Sequence, residues 1–527
     1  MPTGADAGIH LGAVPARGGS AALFFKVFLR STSMSRSIYA RLSQRFGRRV
    51  DAVTRREMLR SSLAASAGVL LSGTPARALL RQETRKRSVI VVGAGFAGLA
   101  AAHELAAAGY DVTVVEARGR IGGRVLSFSD MIPGKNMEGG AELIGSNHPT
   151  WVAYAKKFGL EFLDVTEAED LEFPILIGGK RLDADAAEAL WEEMDAVMSR
   201  MNADALPIDA EQPWKSPNAV ELDKKTVGDW LAAQEVSDIT RDGLKALLEG
   251  DNGAALSRQS YLGMLAQVKG GGVEAYWTES EVYRCKGGNQ QLAFKLVEAI
   301  GKDRVVLSLP AKQIKVLPDK VEVRCADGRT ITADDLILAT PPTVWNKVEI
   351  SPPLPATLKP QMGTNIKYLA ALKSRFWVEK GLAPDSLTDG PISMTWEGTD
   401  NQPAEGQAGL VAFSGGPAAE ACRAQSSKDK DAYYKPKLEE IYPGFSDAFV
   451  SARFMDWPGD VWTMGGYSFP APGEVTGQGP LLEKGLGRLH FAGEHVCYKF
   501  VGYMEGALNS GATVARRLAV RDGVIKG

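Results

Sequence analysis

Cysteine is scarce in this chain of 527 residues: Cys285, Cys325, Cys422 and Cys497 are the only four, far apart and without a CxxC pair. That spacing excludes a zinc-ribbon ligand set and a dense disulfide framework, and buried free thiols are the expected state. Histidine is nearly as rare. Its five residues, at positions 10, 103, 148, 490 and 495, form no HExxH pair, so no metal site is expected. Internal repeats and low-complexity tracts are absent. So is any marked charge excess, with 61 Lys and Arg against 63 Asp and Glu.

That balance conceals an asymmetry. Residues 1–78 hold 12 Lys/Arg and 3 Asp/Glu, which leaves 49 against 60 for the remainder. A body that acidic does not suit nucleic acid, whose phosphates are met by Lys and Arg. The basic stretch contains an apolar run, Ser61 to Gly73, too short to span a bilayer. It follows Thr54-Arg55-Arg56-Glu57-Met58-Leu59-Arg60, which resembles a twin-arginine export signal, and precedes Ala76-Arg77-Ala78, a small-x-small cleavage pattern. The expectation is a leader over 1–78, recognised by the twin-arginine export machinery and cleaved after Ala78, and a periplasmic or extracellular protein. A basic amphipathic arm or an organelle transit peptide fits the same residues.

Beyond the leader, a chain with 45% apolar and 24% charged residues is a globular body long enough for more than one domain. Val89 to Val92 is a β-branched run, Leu99 to Ala108 an alanine-rich helix closed by Gly109, and Asp111 to Glu116 a second strand: one βαβ unit. From Trp151 to about Val273 the periodicity is helical, in "WVAYAKKFG", "DAAEALWEEMDAVMSRM" and "TVGDWLAAQ". Alternating strands return in "RVVLSLPAKQIKVLPDKVEVRCADGRTITADDLILAT", broken by Pro-Asp and Asp-Gly turns. The end of the chain reads as a strand, a glycine-rich turn and an amphipathic helix. The fold class is α/β, a Rossmann-like dinucleotide-binding domain with an interleaved α+β substrate-binding domain that includes a helical insertion. Residues 86–150, 281–345 and 463–527 are assigned to the first, 151–280 to the helical part and 346–462 to the remainder of the second.

Gly93, Gly95 and Gly98 form GxGxxG at the strand-to-helix turn. They give room for the turn, for a pyrophosphate against the backbone, and for close helix–strand packing, with the helix N-terminus facing the phosphates. Glu116, 18 residues past Gly98, ends the next strand, where a carboxylate accepts from ribose hydroxyls. This much fits NAD or FAD equally.

The segment that follows, "EARGRIGGRV", sets Arg118, Arg120 and Arg124 around Gly122-Gly123 and resembles the second flavin-dinucleotide motif of the flavin-containing amine oxidase family, with arginine forks suited to phosphate oxygens. The resemblance runs from about Ser88 to Val520. "MEGGAELIG" is similar to the family's segment beside the flavin ring, through Gly139, Gly140 and Ala141. "CKGGNQQLAFKL" resembles the glycine pair and helix before the adenine-side strand, in which Ala311 stands where valine is frequent. "LILATPPTVW" matches a late strand. "FAGEHVCYKFVGYMEGALNSG" resembles the C-terminal FAD motif, with Gly493, Glu494, Gly502, Tyr503, Met504 and Glu505 in register.

The resemblance also implies a site. Tyr467 and Tyr503 match a paired aromatic cage that orients the amine, and Lys367 matches a lysine that holds a water near flavin N5. On pattern alone the two tyrosines read as packing residues and Lys367 as an exposed strand lysine. Family members with covalent flavin carry a cysteine where this chain has Gly466, so FAD is expected to be noncovalent. The implied reaction passes a carbon-bound hydrogen to flavin N5, with oxygen reduced to hydrogen peroxide and the imine hydrolysed. L-Amino acids are the expected substrates, giving a 2-oxo acid and ammonia. Arg284 is the candidate for the carboxylate and Trp462 the candidate pocket wall. The alternatives are a monoamine or polyamine oxidase, then a desaturase on the same scaffold or a flavoprotein without turnover. A homodimer is left open.

Overall fold

The computed structural model describes residues 37–47, 70, 86–165, 171–425 and 429–526. Two large sheets and a helical body organise the molecule, with a four-stranded sheet in the order Thr330–Ala333, Val321–Cys325, Ala311–Val316, Glu349–Ser351 and two two-stranded ribbons beside them. The first sheet is parallel, in the order Leu489–Phe491, Asp335–Leu338, Ser88–Val92, Asp111–Val115, Val305–Val306. Its strands come from three distant stretches of chain. Its inner strands are Val, Ile and Leu runs because both faces are covered, as parallel sheets require. The helix Phe96–Ala107 crosses one face and the C-terminal helix Met504–Arg521 packs on it. Their approach depends on Gly511, where a Cβ would run into the Ala97 carbonyl oxygen. Leu99, Leu105, Leu508 and Leu518 are fully buried at this junction, each worth about 1.5–3 kcal/mol.

The second sheet has seven strands, in the order Phe449–Asp456, Asn365–Leu372, Ala408–Gly415, Met394–Glu397, Ser386–Thr388, Ile175–Ile177, Lys180–Arg181, antiparallel through its centre. Asn365–Leu372 is buried along its whole length. The two-residue period of a strand sends Tyr368, Ala370 and Leu372 into a core with Trp377 and Tyr434, and Leu369 and Ala371 into another with Met137 and Trp396. Lys367 shares the second face. The lysine expected on an exposed strand is thereby buried, because that face of the sheet is roofed by the dinucleotide domain.

Helices fill the chain between Pro149 and Glu279, with the short strands Phe162–Asp164, Ile175–Ile177 and Lys180–Arg181 among them, too short for periodicity to show. Ala184–Ala205 is the longest. Asp183 caps it by accepting from the Ala186 N–H, and Leu190, Met194, Val197, Met198 and Met201 make its buried stripe at helical spacing. The N-terminal helix Ile38–Phe46 packs against it. The Arg55-Arg56 and Ala76-Arg77-Ala78 motifs lie outside the described residues.

All four cysteines are buried and free. Among the described residues no helix is long and apolar enough to cross a membrane, and no group of three or more His, Cys, Asp or Glu is placed to hold a metal ion.

Candidate active site

One cavity of about 680 Å³ runs between the two sheets and under the helical body. Its dinucleotide end is made of backbone. Gly93 takes a φ of 110°, and a Cβ there would meet the Ala339 carbonyl oxygen at 2.8 Å. A Cβ on Gly98 would run into the Gly93 oxygen, so this glycine permits the helix–strand contact and does not line the cavity. Gly95 caps Phe96–Ala107 without a side-chain bond, leaving first-turn N–H groups for phosphate oxygens. Glu116 accepts from the Ala94 and Arg118 N–H groups at 2.7 and 2.8 Å, which fixes its carboxylate at the cavity wall. Ala311, Gly493 and Met504 line the same cavity. These features fit FAD: a glycine cradle for the pyrophosphate, a fixed carboxylate for ribose, and a long cleft leading to the second sheet.

The three arginines after Glu116 separate in role. Arg118 lines the cavity and is forked onto Asp460 and Thr463. Arg124 also lines it, donating to the Gly466 carbonyl at 2.7 Å and to Glu494 at 2.8 Å. Arg120 does not. Its guanidinium donates to the Gly123 carbonyl and stands 6.0 Å from the Trp457 ring centroid, so it braces the Gly122-Gly123 turn and is not a direct phosphate ligand. Gly123 itself packs on Gly95, where a Cβ would come within 3.1 Å of the Gly95 Cα.

At the middle of the cavity, Gly140 and Ala141 form the wall, while Gly139 lies behind them and accepts from the Trp457 indole at 2.9 Å. Lys367 stands opposite. Its ammonium donates to Glu142 at 2.6 Å and to the Glu138 carbonyl at 3.4 Å, and sits 5.2 Å from the Trp396 ring centroid. Burial alone would raise the Glu142 carboxyl, but Lys367, Arg284 and a hydrogen bond from Trp396 outweigh it and hold the group below its ordinary value. Glu138 is pushed up to about 7, chiefly by burial. His495 falls to about 4 through burial and is neutral beside Glu494.

At the far end stand the two tyrosines. The Tyr467 hydroxyl donates to the Asp251 carbonyl at 2.6 Å, and Tyr503 packs edge-on against His148, with ring centroids 5.1 Å apart. Both phenols are raised well above their ordinary value, first by burial and then by neighbouring groups that include the carboxylates of Asp251 and Glu281. Asp251 is itself raised by burial and by the charge of Glu281. Both carboxylates line the cavity, as do Tyr276, Gln267 and Asn365. Gln267 is 3% exposed, and its Oε1 has no hydrogen-bond partner.

Two expected substrate residues belong elsewhere. Arg284, opposite Leu163 in a short antiparallel pair, is 3% exposed, does not line the cavity, and is bound to Asp400, the Gly398 carbonyl and Glu142, the last at 3.6 Å. It neutralises buried carboxylates and cannot turn to a substrate without abandoning them. Trp462 lines the cavity, but its neighbours are Lys347, 5.6 Å from its ring centroid, and Asp460, the partner of Arg118, so it belongs with the dinucleotide residues. Sequence reasoning missed Asp251, Glu281, Gln267 and Glu142. Glu142 lies inside the quoted "MEGGAELIG" segment. The other three carry no local motif.

A glycine-cradled dinucleotide site opening onto a buried lysine and two tyrosines defines an FAD-dependent oxidoreductase of the amine-oxidising type, with FAD held noncovalently. The chain belongs to the flavin containing amine oxidoreductase family, whose profile matches residues 96–519. It is 26% identical to an L-amino acid dehydrogenase of Synechocystis over 81% of this chain and 94% of that one. With flavin-containing amine oxidase B of Homo sapiens the identity is 28%, over 82% and 86%. Among solved structures, cyclohexylamine oxidase of Brevibacterium oxydans superposes with a TM-score of 0.74 at 26% identity, over 83% of this chain and all of that one. A putrescine oxidase bound to putrescine gives 0.75 at 26% identity, over 83% and 99%.

Proposed function

We propose that the protein oxidises amines that carry no carboxylate, and favours those with a second cationic group away from the reacting carbon. The observation that supports this is the charge of the far end of the cavity. Asp251 and Glu281 stand there, whereas the basic residues lining the cavity are Arg118, Arg124, Lys312, Lys347 and Lys367. Arg118 is occupied by Asp460, Arg124 by Glu494 and Lys367 by Glu142; Lys347 stands at Trp462, and Lys312 follows Ala311 on the dinucleotide side. A substrate carboxylate would face the Glu281 carboxylate and, as pH rises, that of Asp251 as well, while an ammonium would be attracted. The putrescine oxidase and cyclohexylamine oxidase likenesses agree with this reading.

When bound, FAD supplies the hydride acceptor and its reoxidation by oxygen. The residues of the chain do the positioning. Tyr467 and Tyr503, held by Asp251 and His148, present electron-rich faces to the amine. The Gln267 oxygen is a ready acceptor for an ammonium N–H. Lys367 places a positive charge by Gly140 and Ala141, where charge transferred to oxygen would be stabilised.

The second reading, L-amino acids, draws on the likeness to the Synechocystis enzyme. Anaerobic mixing with matched pairs separates the two: putrescine against ornithine, cadaverine against lysine, phenethylamine against phenylalanine, followed at the flavin's visible band. Each amine should bleach the flavin at least about tenfold faster than its amino acid, the effect of one misplaced charge. Faster bleaching by the amino acids overturns the proposal. Asp251→Asn should raise KM for cadaverine about tenfold relative to pentylamine. Because the Asp251 carboxyl is raised, its charge develops only as pH rises, so the preference for cadaverine should grow with pH until the substrate ammonium deprotonates; Asp251→Asn should flatten that rise.

A further inference from the structure

We infer that the helix Ile38–Phe46 is a permanent wall of the substrate cavity, that it limits the length of the amine accepted, and that this part of the chain stays on the working enzyme. This rests on the substrate-cavity assignment above and runs against a leader discarded after Ala78. Ser37 and Ile38 line the same cavity as Glu281, Tyr276, Leu247 and Leu387. Ser37 caps the helix by accepting from the Ala40 N–H at 3.2 Å and reaches the Trp277 carbonyl at 3.5 Å, on the short helix just before Glu281. Ile38 and Leu42 join the core that contains Leu247, Tyr276 and Leu387.

The docking is specific as well as apolar. Tyr39 donates to Asp195 at 2.7 Å and meets Trp277 edge-on at 6.2 Å. Arg41 pairs with Asp385 at 3.4 Å, with both side chains about 95% buried, and donates to the Val165 carbonyl. Arg45 donates to the Leu171 carbonyl at 3.1 Å. An export n-region has no need of a cationic side chain placed to neutralise a buried carboxylate of the body. Removing this helix would strip apolar cover from the cavity and take the Arg41 guanidinium away from the buried Asp385 carboxylate.

The test compares the full chain, a chain beginning at residue 48, and full-chain Ile38→Trp, all loaded with FAD. Hydrogen exchange on the full chain without substrate should protect the 38–46 amides as well as those of Ala184–Ala205; exchange at the rate of a free peptide overturns the inference whatever the substrate is. The KM ratio of decylamine to butylamine should rise at least about tenfold in Ile38→Trp and fall at least about threefold in the truncated chain, as expected for bulk added to or taken from a packed wall. The truncated chain should also melt about 5 °C lower. An unchanged ratio in both variants overturns the inference, as does an active exported enzyme whose N-terminus is Leu79. If no amine bleaches the full chain, the functional proposal fails, while the exchange result still reports on the docked helix.

Discussion

The two ends of the cavity are built by different means. The dinucleotide end is shaped by missing side chains: Gly93, Gly98, Gly123 and Gly140 sit where a Cβ would collide with, or crowd, neighbouring backbone. The far end is shaped by side chains carried on separate helices, with Asp251 in the last turn of Asp238–Asn252, Tyr276 within Glu274–Glu279 and Glu281 just after it. The pyrophosphate and isoalloxazine of FAD are the same in every enzyme that binds it, so a backbone cradle with little freedom serves them. A substrate differs from one enzyme to the next, and the helical body that carries its contacts can change without disturbing the cradle.

The sharpest way to break the first end is to fill one of its gaps. Gly98→Val would drive side-chain atoms into the Gly93 oxygen, and FAD binding should weaken by about a thousandfold or more, roughly 4 kcal/mol, measured as flavin absorbance per protein after desalting. Arg284→Ala should cost about 3 kcal/mol in urea unfolding, because Asp400 and Glu142 lose a buried partner. The ratio of ornithine to putrescine bleaching should not move; a ratio that falls with stability intact would restore Arg284 as a carboxylate anchor. Lys367→Met, at the join of the two ends, should slow reoxidation of reduced flavin by about 100-fold in stopped flow while flavin is retained. Last, Trp462→Phe should change FAD affinity by less than about threefold and leave the amine preference as it was, since its contacts are with Lys347 and the Asp460 loop.

How far each end could be read from the sequence follows from the same contrast. GxGxxG, the Gly122-Gly123 turn and the C-terminal motif are local strings, and a backbone cradle must be encoded locally because it depends on the φ of particular residues. Lys367 was found through a resemblance. Its residue pattern pointed to solvent, and only the sheet packed beneath Met137 and Trp396 explains its burial. Arg284 went the other way. Beside a glycine pair it had the look of a carboxylate ligand, yet strand pairing with Phe162–Asp164 turns it into a cluster with Asp400 and Glu142. The leader was read from local strings, the Arg55-Arg56 motif, the apolar run and Ala76-Arg77-Ala78, whereas the Arg41–Asp385 pair joins residues 344 positions apart, beyond the reach of any local pattern.

By itself, then, the sequence determined the βαβ unit that begins the parallel sheet and the glycine cradle, properties of short segments whose backbone conformation is set by near neighbours, while the choice of flavin and the two tyrosines entered through the family resemblance. Only the tertiary structure decided the carboxylates gathered at the far end of the cavity, the partners of Arg284 and Lys367, and the place of the helix Ile38–Phe46. A charge acquires its role from what is buried with it, and burial is settled by segments that meet only once the chain has folded.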